Sequence, residues 1–88
     1  MTSLITHYTV YTKPQCPNCD RTKEYFDSKD ITYTIVDITE EPAALEYIST
    51  ELGYSQAPVV VNNTDDQDHW SGLRRDKLVQ AAMTHKAA

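Results

Sequence analysis

Residues 7–12 alternate Tyr, Thr and Val as a strand does, break at Lys13-Pro14-Gln15, and give way to a helical pattern over residues 17–28. The only two cysteines, Cys16 and Cys19, lie at that junction. Pro17 suits the first helical position, where no amide hydrogen is needed. Cys19, Thr22 or Lys23, and Phe26 then recur on one face. A second strand over residues 31–36 ends at Asp37. Strand, helix and strand in so short a span predict a parallel pair joined by a right-handed crossover. The cysteines then sit at the strand-to-helix turn.

Residues 39–42 read as the entry to a second helix, with Glu40 and Glu41 at the positive end of its dipole. Leu45, Ile48 and Leu52 mark its apolar face, and Gly53 is the expected stop, taking the left-handed conformation. Ala57-Pro58 leads into Val59-Val60-Val61, a short apolar run that reads as a buried strand. Residues 62–66 form a polar turn, Asp68-His69-Trp70 a short returning strand, and Ser71-Gly72 a further break. A last helix is expected over residues 73–84, with Leu78, Val79, Ala82 and Met83 inward. The order βαβαββα predicts an α/β fold, a four-stranded mixed sheet flanked by three helices, in one domain spanning residues 1–88.

Composition narrows the function. A net charge of −5 argues against nucleic acid as partner, because affinity for phosphate backbones comes mostly from Lys and Arg. No apolar run approaches the roughly 20 residues of a membrane span. Residues 1–7 lack the basic and apolar regions of a signal peptide, so a cytoplasmic setting is expected. There, thiols are kept reduced, and a CxxC pair is more often catalytic or metal-binding than structural.

Three positions apart on a helix, two side chains share a face at roughly 5–6 Å between β-carbons, and a disulfide wants roughly 3.5–4.5 Å. A first helical turn can relax enough to close and reopen that gap, so the pair can cycle between dithiol and disulfide. The amide hydrogens of Asn18 and Cys19 and the helix dipole favour a thiolate at Cys16. Lys13 adds a positive charge nearby, or is simply a solvated surface residue. Cys16 is expected to be the exposed attacking thiol, and Cys19, one turn inside the helix, the resolving one. A structural zinc site normally takes four ligands, and His7, His69 and His85 lack the spacing to complete one. A cluster bridging two chains and a pair of incidental buried cysteines are the other readings. The expected redox group is the cysteine pair itself, with no metal and no other cofactor.

Pro58, tied to the CxxC pattern, is expected to follow a cis bond that turns the edge groups of Ala57 toward Cys16, where an extended partner segment could add like a strand. Trp70, Ser71 and Gly72 carry two readings. Trp70 is a packing residue, Ser71 caps the last helix and Gly72 makes a turn; or the three form part of a docking surface beside Pro58. Arg74 and Arg75 are solvated, or one pairs with Asp76. Tyr11, directly before Thr12-Lys13-Pro14, is placed near the site.

The run Val10-Tyr11-Thr12-Lys13-Pro14-x-Cys16-x-x-Cys19 resembles the start of glutaredoxin-like proteins with a thioredoxin fold. Leu52 to Val61 and His69-Trp70-Ser71-Gly72-Leu73-Arg74 are similar to the NrdH-type redoxins, hydrogen donors for class Ib ribonucleotide reductase. The resemblance runs from about Tyr8 to Leu78. It implies a carrier that takes electrons from thioredoxin reductase and passes them to a disulfide on the large subunit of ribonucleotide reductase. Cys16, Cys19 and Pro58 carry over position by position, and Trp70, Ser71 and Gly72 match the turn that braces the site in the family. A monomer is expected.

Two departures stand out. Pro17-Asn18 replaces the family's Val or Met followed by Gln, and Leu73-Arg74-Arg75 replaces its Phe-Arg-Pro. Proline after the first cysteine is a glutaredoxin habit, so a glutathione-dependent dithiol glutaredoxin is the alternative. Against it, the usual glutaredoxin Thr-Val-Pro is here Gln56-Ala57-Pro58. The polar cradle that holds glutathione is replaced by residues 70–74.

Overall fold

The computed structural model describes residues 6–85. Its elements are β1 (Tyr8–Thr12), α1 (Pro17–Ser28), β2 (Tyr33–Asp37), α2 (Pro42–Glu46), β3 (Val59–Asn62), β4 (Asp65–Ser71) and α3 (Arg75–Thr84). After α2 the chain continues as a π-helical turn over Tyr47–Glu51. The strands lie in the order β2-β1-β3-β4. β1 pairs parallel with β2 and antiparallel with β3, and β3 pairs antiparallel with β4. This is the four-stranded mixed sheet of the thioredoxin fold that the resemblance implies.

Period-two alternation along β1 divides the core between the two faces of the sheet. Tyr8 and Val10 point to one face, where Phe26 and Ile31 join Val60, Trp70, Leu78 and Ala81. Val59 and Val61 point to the other and meet Ile48, with Tyr11, Ile38 and Tyr54 partly buried around them. β3 is buried at all four positions. That explains why its Val59-Val60-Val61 run is continuous instead of alternating: both of its faces are covered.

α1 has the expected bounds, and its inner face is Cys19, Thr22 and Phe26. Asp30, at φ +57, turns the chain beyond it, and the Ile31 N–H donates to the Phe26 carbonyl at 3.0 Å. Other elements differ from expectation, among them α3, which begins at Arg75 and not at residue 73. β2 begins at Tyr33, because Ile31 is spent on the turn, although its side chain is buried. The second helix begins at Pro42, within the expected entry, after Asp37 has tied down the preceding turn by accepting from the Thr39 N–H and hydroxyl. β4 begins at Asp65, because Asn62 makes the turn compact by accepting from the Thr64 N–H and hydroxyl. Gly53 has φ +76 where the π-helical turn ends, as its place in the sequence predicts.

Some residues expected to face inward are exposed. Leu45 is exposed, and the residue that this segment buries is Ile48, in the π-helical turn. Val79 and Met83 are exposed as well, since α3 buries only Leu78 and Ala81.

Two tyrosines make the fold sensitive to alkali. Burial, then the charge of Asp68, pushes the Tyr8 phenol up to about 12. Burial, then the hydrogen bond and charge of Asp27, lifts Tyr33 to about 12. In the unfolded chain both ionise near 10.0. Between these values the folded state holds protons that the unfolded chain has lost. Stability is therefore intact below the unfolded value and falls as pH rises toward the folded one. A titration of phenolate absorbance alongside circular dichroism is expected to show both tyrosines ionising with loss of the fold. Ionisation of both at the unfolded value, with the fold intact, would contradict this.

Candidate active site

Gln15 has φ +57 immediately before the first cysteine. A side-chain-bearing residue held in this left-handed region costs roughly 1–2 kcal/mol, and here the turn delivers Cys16 to the N-cap of α1. Cys16 is extended, at φ −124 and ψ 92, and its Sγ accepts from the Cys19 N–H at 3.2 Å. Its carbonyl accepts from the Asp20 N–H at 3.1 Å. Pro17 follows at the first helical position. A disulfide joins Cys16 to Cys19, with Cα atoms 5.2 Å apart.

Cys16 is 7% exposed and Cys19 1%. The expectation of an exposed Cys16 is corrected for this oxidised state, because its capping bond draws the sulfur in over the helix's first turn. Cys16 keeps the larger share of exposure. Opening the bond would leave the Cys16 sulfur facing the Cys19 N–H and the positive end of the helix dipole. Both stabilise a thiolate.

Strand register shows what surrounds this turn. Tyr11 pairs with Val59, and Val59 with Ser71. The segments beyond those positions, leading to Cys16, Pro58 and Gly72, therefore emerge at the same end of the sheet. The Ala57–Pro58 bond is cis, and the Pro58 carbonyl accepts from the Gly72 N–H at 2.8 Å. Among the described residues, the Ala57 amide and carbonyl have no backbone partner. The preceding loop is fastened by the Tyr54 hydroxyl, 2.7 Å from His69 Nδ1.

Gly72 is buried at φ +79, and a β-carbon there would stand 3.1 Å from Gln56 Nε2. Glycine thus serves both the backbone angle and the close approach. Gln56 is a residue whose place in the site strand and helix periodicity does not reveal. The one signal is its position two residues before Pro58. Lys13 is exposed and lines, with Gln56, Ala57 and Tyr54, a cavity of about 320 Å³.

The Trp70 and Tyr11 side chains point into the fold, away from this surface. Trp70 is 2% exposed, opposite Val60 in register, and its ring meets that of Tyr8 edge-on at 5.8 Å. The packing reading of Trp70 therefore describes its side chain. Ser71 ends β4 and does not cap α3, whose N-cap is Arg74 without a side-chain capping bond. Tyr11 points to the α2 face, 6.0 Å from the Tyr47 ring, and burial, then Tyr47, raises its phenol pKa. Among the described residues, no three His, Cys, Asp or Glu side chains converge as a metal-ligand set. No helix there is long and apolar enough to cross a membrane.

The glutaredoxin family model matches residues 8–66. The glutaredoxin-like protein NrdH of Lactococcus lactis is 32% identical over 74 residues, covering 84% of this chain and 97% of the relative. The gene 56 protein of Mycobacterium phage D29 is 33% identical over 78 residues, covering 89% and 84%. Among solved structures, the NrdH-redoxin of Escherichia coli, a glutaredoxin-like protein with a thioredoxin-like activity profile, superposes with a TM-score of 0.77 at 27% identity. That match covers 92% of this chain and 97% of the other. This chain therefore belongs to the glutaredoxin family and, within it, is an NrdH-type redoxin, a dithiol–disulfide oxidoreductase.

Proposed function

We propose that this redoxin is a cytoplasmic, monomeric electron carrier that is reduced by thioredoxin reductase and in turn reduces the disulfide on the large subunit of class Ib ribonucleotide reductase. The observation that carries the reading is the hydrogen bond from the Cys19 N–H to Cys16 Sγ at the head of α1. It supports a thiolate at Cys16 and leaves the second step to Cys19. In the reduced protein, the Cys16 thiolate attacks one sulfur of the acceptor disulfide. The other acceptor sulfur leaves as a thiolate, which takes up a proton. Cys19 then loses its proton and attacks Cys16 Sγ in the mixed disulfide, closing the Cys16–Cys19 bond and releasing the second acceptor thiol. Two electrons and two protons pass to the acceptor. Reduction by thioredoxin reductase reverses the balance, with no metal or further cofactor.

Partner docking is assigned to the loop at Ala57 and Pro58 and to the backbone of the Ser71–Gly72 turn. Ala57 offers an unpaired amide and carbonyl, to which an extended segment can add by strand-like hydrogen bonds. Lys13 supplies a cation at the rim of this surface, while Trp70 and Tyr11 brace the sheet beneath it.

Use of glutathione is disfavoured where its cradle would lie. Arg74 is already engaged with Asp76, through Nε at 3.0 Å and Nη2 at 2.9 Å. That hydrogen-bonded pair holds the Asp76 carboxyl down at about 2. The thioredoxin-like activity profile of the Escherichia coli relative supports the same reductant.

The test is a side-by-side assay, NADPH with thioredoxin reductase against glutathione with glutathione reductase. Brisk turnover with the first and slow turnover with the second is expected. The reverse result would replace this reading with a glutathione-dependent glutaredoxin.

A further inference from the structure

Between α1 and α3 runs a groove of about 540 Å³ that the cysteine chemistry does not use. Tyr25, Leu73 and Leu78 form its apolar lining, with Val79 beside them. Val79 is 48% exposed, and Met83, one turn further along α3, is 75% exposed. Both are positions that helical periodicity assigns inward. α3 therefore carries a wider apolar stripe than its own domain covers.

Arg21 and Arg75 also line the groove, against a single carboxylate, Glu24. The ion pairs among the described residues are Lys23–Asp20, Arg74–Asp76 and Lys77–Asp68, so Arg21 and Arg75 are unpaired there. On a chain of net charge −5, this is a locally cationic, apolar-floored surface. It lies close to the chemistry along the chain: Arg21 is two residues beyond Cys19, and Leu73 directly follows Gly72.

We propose that this groove docks an acidic, apolar-anchored segment of a protein redox partner, holding the partner's redox cysteines within reach of Cys16. The inference rests on the protein-to-protein relay proposed above and adds to it the chemistry of the recognised segment. Charge complementarity selects the occupant. The arginines attract carboxylates and the apolar floor takes one or two large side chains, an arrangement that steers encounter and fixes orientation. A second copy of this chain is disfavoured by the net charge it shares.

The test titrates the isotope-labelled oxidised protein with the hexapeptide acetyl-Asp-Glu-Phe-Asp-Leu-Glu-amide, and with its counterpart carrying Lys at the four acidic positions. Amide shifts are expected to concentrate at Arg21, Tyr25, Leu73 and Val79. Binding should be about tenfold weaker for the lysine peptide, and for acidic peptide with an Arg21→Glu/Arg75→Glu protein. In the thioredoxin reductase assay the same double variant should raise KM about tenfold at similar kcat. Its dithiothreitol-reduced form should still react with a small aromatic disulfide at the unaltered rate. Arg21→Lys/Arg75→Lys should retain most of the affinity.

Equal binding of the two peptides, no binding, or shifts centred away from the groove would overturn the proposal. So would concentration-dependent dimerisation through this face in sedimentation. If thioredoxin reductase fails to reduce the unmodified protein while the acidic peptide still maps to the groove, the proposed reductant falls and the docking surface stands.

Discussion

A Cys16→Ser protein is expected to lose turnover with NADPH and thioredoxin reductase by about 10³-fold or more while remaining folded. The thiolate is the nucleophile, and a serine hydroxyl is not ionised at neutral pH. The fold should survive because Cys16 occupies the N-cap of α1, a position that serine fills well. The hydroxyl can accept from the Cys19 N–H as the sulfur does now. Loss of activity without loss of helix would therefore isolate the chemistry. Cys19→Ser should behave differently, attacking the acceptor and stalling as a mixed disulfide visible on a non-reducing gel. Full activity of Cys16→Ser would end the assignment. A trapped adduct with Cys16→Ser and none with Cys19→Ser would exchange the two roles.

The largest effect on stability is expected from Phe26→Ala. Phe26 is fully buried, stacked on Tyr8 at 5.1 Å between ring centroids and tilted against Tyr33 at 5.8 Å. It lies two turns beyond Cys19 on the face that fixes α1 to the sheet. Truncation removes the buried ring and leaves a cavity, at a cost of about 3–5 kcal/mol. For a chain of this length the whole stability is on the order of 4–13 kcal/mol. A fall in Tm of roughly 15–30 °C follows, measurable by thermal or urea unfolding. A midpoint within experimental error of the unmodified protein would mean that α1 is anchored elsewhere, and the positioning of both cysteines would need another explanation.

Legibility in the sequence followed the physics of each segment. α1 was readable because Pro17 marks its start and its buried positions repeat at helical spacing. Strand β3 was readable because an apolar run between turns has few other uses. The cis bond before Pro58 was legible only through the CxxC pattern that accompanies it.

Tertiary contacts decided the rest. Periodicity names Val79 and Met83 as apolar, but α1 and the sheet reach only Leu78 and Ala81. Composition identifies Trp70 as large and buriable, but only strand register shows that it faces Tyr8 instead of solvent. The left-handed turn at Gln15 left no mark, because glutamine is not a residue that advertises that conformation. The closeness of Gln56 to Gly72 was equally silent. It depends on two loops separated by a whole hairpin.

The disulfide joins residues only three apart, and a loop that short restricts an unfolded chain very little. On a chain-entropy scale it contributes about 2 kcal/mol, against about 4.7 for a loop of 100 residues. Stability rests instead on the two cores, which contain most of the buried apolar residues and do not depend on the sulfur bond. Opening the bond in each cycle therefore removes about 2 kcal/mol of the roughly 4–13 kcal/mol expected for a chain of this length, and the rest stays with the cores. The bond is cargo rather than a staple.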